Sequence, residues 1–106
     1  MLNEHDLKDM QPTPTPVMRA KMVVASVTEG KGYAPIGQEP EKVSERLQLN
    51  AVGMGKPYAQ DGTGDEDNTF SRWTPCASLD MQVQNPALWG QFKPGDKLYV
   101  DFTPAD

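Results

Sequence analysis

The chain has 106 residues, a net charge of −5 and a single cysteine, Cys76. That length suits one domain, the acidic balance disfavours duplex binding driven by counterion release, and a lone cysteine excludes an internal disulfide. The 10 prolines and 9 glycines favour short strands and many turns over a helical bundle, and no stretch reaches the ~18–20 apolar residues of a membrane span.

The first 17 residues read as an arm. The run Pro12-Thr13-Pro14-Thr15-Pro16 fixes φ at alternate positions and removes amide donors, so the backbone is extended and polyproline-like. Before it, Leu2, Leu7 and Met10 are the apolar anchors, with Leu7 and Met10 at the spacing that shares a helical face. An arm with so little apolar content does not order itself by its own burial, which predicts that a partner holds it. The opening MLNEHDLKD is acidic and lacks the basic-then-apolar order of a signal peptide. The protein is therefore expected to stay where it is made or to leave inside a larger particle.

The body, residues 18–106, opens with a strand over residues 18–28. Met18, Ala20, Met22 and Val24 share one face, and then Val23, Ala25 and Val27 make the other face apolar. That switch predicts a bulge, or coverage on both sides. A Gly/Pro-rich loop follows over residues 29–42, and its Tyr33 and Ile36 are expected to tuck against the end of the sheet. The second strand, residues 43–52, faces Leu47, Leu49 and Ala51 inward and Arg46, Gln48 and Asn50 outward. Helix formers in EPEKVSERLQL compete with this assignment, and the alternation decides it. Residues 53–68 form a loop long enough to be functional or disordered. A short strand carrying Phe70 and Trp73 is expected over 69–74, and another over 77–84 with Leu79, Met81 and Val83 inward.

Residues 85–104, NPALWGQFKPGDKLYVDFTP, organise the rest. Asn85 is placed to cap a helix that opens at Pro86, with Leu88, Trp89 and Phe92 on one face. Lys93-Pro94-Gly95-Asp96 fits a type II turn. In the final strand Leu98, Val100 and Phe102 point one way, and Lys97, Tyr99, Asp101 and Thr103 the other. The pattern predicts an all-β fold: a small barrel or sandwich of about five to six strands with one short helix before the last.

No catalytic set is apparent. The acidic run Asp61–Asn68, DGTGDEDN, invites calcium, but the EF-hand order fails in both registers: the third place after Asp61 is Thr63, and the sixth after Asp65 is Phe70. A solvated turn fits better. Gly53-Met54-Gly55-Lys56 lacks the phosphate-loop spacing. The sole histidine, His5, lies in the arm, and Cys76 has no partner to activate it, so it reads as a bland buried thiol. No catalytic, cofactor-binding or metal-ligating residues are assigned, and no cofactor is expected. An alternative is an oligonucleotide-binding (OB-like) barrel that stacks single-stranded bases on Phe70, Trp73, Tyr99 and Phe102, although such grooves also need positive charge.

Four phrases carry a resemblance: Met18-Arg19-Ala20-Lys21-Met22, Glu66-Asp67-Asn68-Thr69-Phe70 with Thr74-Pro75, Asn85-Pro86, and Phe92-Lys93-Pro94-Gly95-Asp96 leading to Tyr99-Val100-Asp101-Phe102-Thr103. They resemble a family of small proteins encoded in tailed-phage genomes and associated with the virion. The arm over residues 1–16 departs from that family's start near Met18. The resemblance implies a capsid decoration, or cement, protein with no chemistry of its own. On that footing the expected partners are the major capsid protein and further copies on the capsid lattice, with no nucleic acid and no membrane. The expected location is the virion surface. The arm residues that would bind are Leu2, Leu7, Met10, Pro12, Pro14 and Pro16.

Overall fold

In the computed structural model, residues 15–106 are described. They build a four-stranded antiparallel sheet: β1 (Met18–Lys31), β2 (Lys42–Ala51), β3 (Ser78–Val83) and β4 (Lys97–Phe102). The spatial order is β3-β2-β1-β4. Most of the arm, including Leu2, Leu7, Met10, Pro12 and Pro14, lies outside the described residues. Pro16 is exposed at the entrance to β1.

The predicted bulge in β1 is present. The pairing of β1 with β2 slips between Val24 and Ser26, so Ala25 is the extra residue. Without the slip Val27 would point away from Val24; with it, Val27 returns to the apolar face opposite Leu47. A second slip, between Gly30 opposite Ser44 and Lys31 opposite Lys42, makes Val43 the extra residue in β2. Lys42 and Glu45 thereby share a face that three-residue spacing in a regular strand would deny them.

The core is one face of this sheet. Ala20, Met22, Val24, Leu47 and Leu49 are buried, flanked by Val27, Leu79, Val83, Leu98 and Val100. Residues 18–23 of β1 pair with β4, and residues 45–50 of β2 pair with β3. The opposite face is polar.

The fold is mostly β, as expected, but it is one open four-stranded sheet and not the barrel or sandwich of about five to six strands that the pattern suggested. The physical reason lies in residues 69–74, where a further strand was expected. They form turns instead: Ser71 N donates to Asn68 O at 3.1 Å, and Trp73 takes a left-handed φ of 61°. Neither conformation propagates a ladder. Loops cover the apolar face in place of a second sheet, through Phe70 from one segment and Phe92 from another.

The expected helix is a single 3-10 turn, Pro86–Leu88. Its cap is as predicted, with Ala87 N donating to Asn85 Oδ1 and Pro86 at the first position. It ends early because Trp89 is already extended and Gly90 reverses the chain at φ 78°. The type II turn is also as predicted: Asp96 N donates to Lys93 O at 3.0 Å and Gly95 sits at φ 95°. The turn delivers Gly95 and Asp96 to Val24, which exchanges a backbone hydrogen bond with each. Among the described residues, no helix is long and apolar enough to cross a membrane.

Candidate interaction surfaces

β1 and β2 outrun their neighbours. β4 stops opposite Val23 and β3 stops opposite Glu45. The β1–β2 hairpin therefore projects beyond the sheet. Tyr33 and Ile36, expected to tuck in, are instead bare: Tyr33 is 93% exposed and Ile36 fully so. Ile36 occupies the first corner of a tight turn in which Gln38 N donates to Pro35 O and Gly37 supplies the positive φ of 88°. Two large apolar side chains are thus left exposed near the tip, Ile36 within the turn and Tyr33 just before it.

The base of the hairpin is anchored by Glu45. This buried carboxylate accepts from Gly90 N at 2.9 Å and from Lys42 Nζ at 3.0 Å. The Gly90 amide, and then the Lys42 ammonium, hold it below the usual carboxylate range. Lys42 also reaches Glu29 and lies over the Trp89 ring at 4.9 Å, while Trp89 Nε1 donates to Val83 O.

On the polar face Arg19, Arg46 and Lys21 are paired. Arg19 makes a two-point bridge with Asp101 and lies 4.4 Å from the Tyr99 ring centroid. Arg46 bridges Asp80 in the same forked way. Lys21 reaches Asp67 at 3.4 Å, and Tyr99 OH donates to the same carboxylate. Arg19 lowers the pKa of Asp101, and Arg46 that of Asp80. The Thr63 hydroxyl and then its amide lower that of Asp61.

These four depressed carboxyls each make a contribution to stability that is lost in acid. Each is a stronger acid folded than unfolded, so its contribution is present above the unfolded value and vanishes as pH falls through the folded one. The thermal midpoint is expected to be level above about pH 5 and to fall progressively below about pH 4. Melts followed by circular dichroism across that range check this; a midpoint that rises on acidification contradicts it.

The long loop is built, not loose. Asp65 and Asn68, expected in a solvated turn, are buried, with Asn68 at 0% exposure. Asp65 Oδ1 accepts from the amides of Asp67 and Asn68, and its Oδ2 accepts from Asn68 Nδ2. Asn68 in turn accepts from Lys21 N through Oδ1 and donates from Nδ2 to Val52 O, both at 2.8 Å. Thr69 continues the pattern: its amide donates to Arg19 O and its hydroxyl accepts from Arg19 N. Asn68 and Thr69 thus replace β2 where that strand has ended, satisfying the edge of β1 with side chains as well as backbone. The signal available in sequence was the Asp-x-x-Asn spacing that lets a carboxylate cap amides two and three residues on.

Farther along the loop, Trp73 lies against Gly62, where any Cβ would fall 2.5 Å from the indole, and meets Tyr58 edge-on at 6.3 Å between centroids. Arg72 ties the same turn by donating to Asp61 O. Cys76, expected to be buried, is exposed. Its neighbours Pro75 and Ala77 take the inward positions of the extended chain. Among the described residues, no three of His, Cys, Asp and Glu converge on a point where a metal ion would sit.

At the far end of β1 from the hairpin tip, the loops leave part of the apolar face uncovered. A cleft of about 120 Å³ opens there, lined by Met18, Ala20, Phe70, Leu79, Val100 and Phe102. Phe102, whose alternation suggested burial, is half-exposed as the last residue of an edge strand.

No protein-family model matches the sequence, and no solved structure matches it. Among curated proteins the chain is similar to valine–tRNA ligases of Bifidobacterium longum, strain DJO10A and subspecies infantis. Identity is 28% over 82 residues, covering 74% of this chain and 9% of each ligase. The chain spans less than a tenth of the proteins it matches. The likeness shows no family.

Proposed function

We propose that this protein is a structural, non-enzymatic component of a tailed-phage particle: a decoration or cement protein seated on the capsid surface and bridging neighbouring capsid subunits. The observation that carries the proposal is the bare pair Tyr33 and Ile36 on a hairpin that overhangs its sheet. Burying each such side chain against a partner is worth roughly 1.5–3 kcal/mol. The resemblance in residues 66–103 and the proline-stiffened leader support the same reading. A partly preformed polyproline segment lowers the ordering cost of binding an extended arm.

The body supports a role in shape over reactivity. Arg19, Lys21 and Arg46 pair with Asp101, Asp67 and Asp80, so three of the cations on the sheet's polar face are already engaged by carboxylates, where a single-strand binder needs a positively charged track. The OB-like alternative therefore has less support than the structural one.

Removing residues 1–16 is expected to leave the sheet folded and to weaken binding to capsids, with Leu2, Leu7 and Met10 as the residues responsible. Co-sedimentation of full-length and truncated protein with purified, undecorated capsids measures this. Equal binding by the truncated protein would count against the arm's role.

A further inference from the structure

We infer that copies of this protein associate head to tail, the hairpin tip of one copy seating Ile36 in the apolar cleft of the next. The chain carries both halves of the contact. The tip presents an aliphatic and an aromatic side chain with no cover. The cleft lies at the opposite end of the same long strand, between Met18 and Phe102 on one side and Phe70 and Leu79 on the other. Its wall is almost wholly carbon, and its volume of about 120 Å³ is the size of one aliphatic side chain rather than of a ligand. Val17 and Phe102 extend the apolar surface at the mouth, where Tyr33 of the incoming tip would lie beside Ile36.

The area sets the strength. An aromatic side chain such as Tyr33 buries about 150–250 Å², so with the smaller Ile36 the tip supplies at most roughly half of the ~800 Å² per partner of a standard interface. Such a contact is weak and reversible between free molecules, is populated as concentration rises, and is strengthened when copies are held side by side. Because tip and cleft are different surfaces, the contact is heterologous: it closes into a ring or runs on as a chain, and does not stop at a two-fold dimer. The inference extends the structural reading to contacts between copies. It is tested in solution without particles, so its failure leaves capsid binding untouched.

Sedimentation velocity of the full-length protein at rising concentration is the experiment. Wild type is expected to associate reversibly. Ile36→Asp is expected to weaken association at least tenfold by spoiling the tip, and Ala77→Trp to do the same by filling the cleft; Phe102→Asp, at an exposed edge, serves as a second cleft variant. Circular dichroism confirms that each is folded. The deciding sample is a mixture: Ile36→Asp keeps an intact cleft and the cleft variants keep an intact tip, so the mixture is expected to form a one-to-one complex that neither forms alone. A monomeric wild type, association unaffected by Ile36→Asp, or a mixture that stays monomeric would each overturn the proposal. So would association that emerges only after residues 1–14 are removed, which would make the leader the occupant of the cleft.

Discussion

Replacing Asn68 with leucine is expected to lower the stability of the fold by about 3 kcal/mol, although the leucine is apolar and similar in size. The side chain is fully buried and bonds the Lys21 amide, the Val52 carbonyl and the Asp65 carboxylate. Leucine leaves the Lys21 amide and the Val52 carbonyl without these bonds and takes one donor from Asp65, whose Oδ1 still accepts from the amides of residues 67 and 68. A buried polar group deprived of its bond costs about 1–3 kcal/mol, against about 1 kcal/mol for the bond itself. Leucine's better transfer free energy offsets only part of that. The loss should appear as a lower urea midpoint with an unchanged slope. Asn68→Asp is expected to be as damaging at neutral pH: it keeps an acceptor for Lys21, but its oxygen would face the Asp65 carboxylate where an amide now donates. Wild-type stability for either variant would remove Asn68 from its place as the clasp between β1 and the long loop.

The second large effect is expected at Gly62. Alanine there meets two penalties. Its backbone φ of 85° lies in the left-handed region, which costs a non-glycine residue roughly 1–2 kcal/mol. Its Cβ would also fall within 2.5 Å of the Trp73 indole, so the ring must lift. Trp73 already holds a left-handed φ of 61°, and its packing on Gly62 and against Tyr58 offsets that strain. Lifting the ring removes the offset, and the combined cost is expected to reach about 2–3 kcal/mol. Urea unfolding measures the cost. Trp73 emission should shift to the red, with Trp73→Phe supplying the Trp89 background. A Gly62→Ala protein with unchanged stability and emission would show that the ring does not brace the loop.

The contrast between these sites and the rest of the sheet shows what the sequence makes legible. The turn at residues 93–96, the Asn85 cap, the alternations in β2 and β4 and the change of apolar face that marks the bulge in β1 are all written in residues a few places apart. Local geometry fixes them: Pro and Gly at the corners of a turn, or an apolar set that changes face. The Asn68 clasp is different. It joins residues 47 apart by letting a side chain stand in for a strand, and nothing in an Asp-x-x-Asn spacing says which strand edge it will meet. The same limit explains Tyr33 and Ile36. Their loop is plainly a turn, but whether they tuck or project depends on where β3 and β4 stop. Closure into a barrel failed for a related reason. Phe70 and Trp73 look like strand residues by type, whereas the bond from Ser71 to Asn68 and the strained Trp73 turn the chain away.

The paired charges on the polar face follow from strand order. Arg19 faces Asp101 and Arg46 neighbours Asp80 because β1 lies between β2 and β4, with β3 outside β2. No spacing along the chain encodes that order. Once it is known, Arg19 and Arg46 on the polar face are seen to bridge Asp101 and Asp80 on neighbouring strands.

Counting this polypeptide in purified phage particles, by quantitative mass spectrometry against the major capsid protein, tests the central claim most directly. Many copies per particle are expected, in a fixed ratio to the capsid subunit and lost together from particles stripped of their outer layer. Absence from the washed particle, or a few copies unrelated to the capsid lattice, would contradict it.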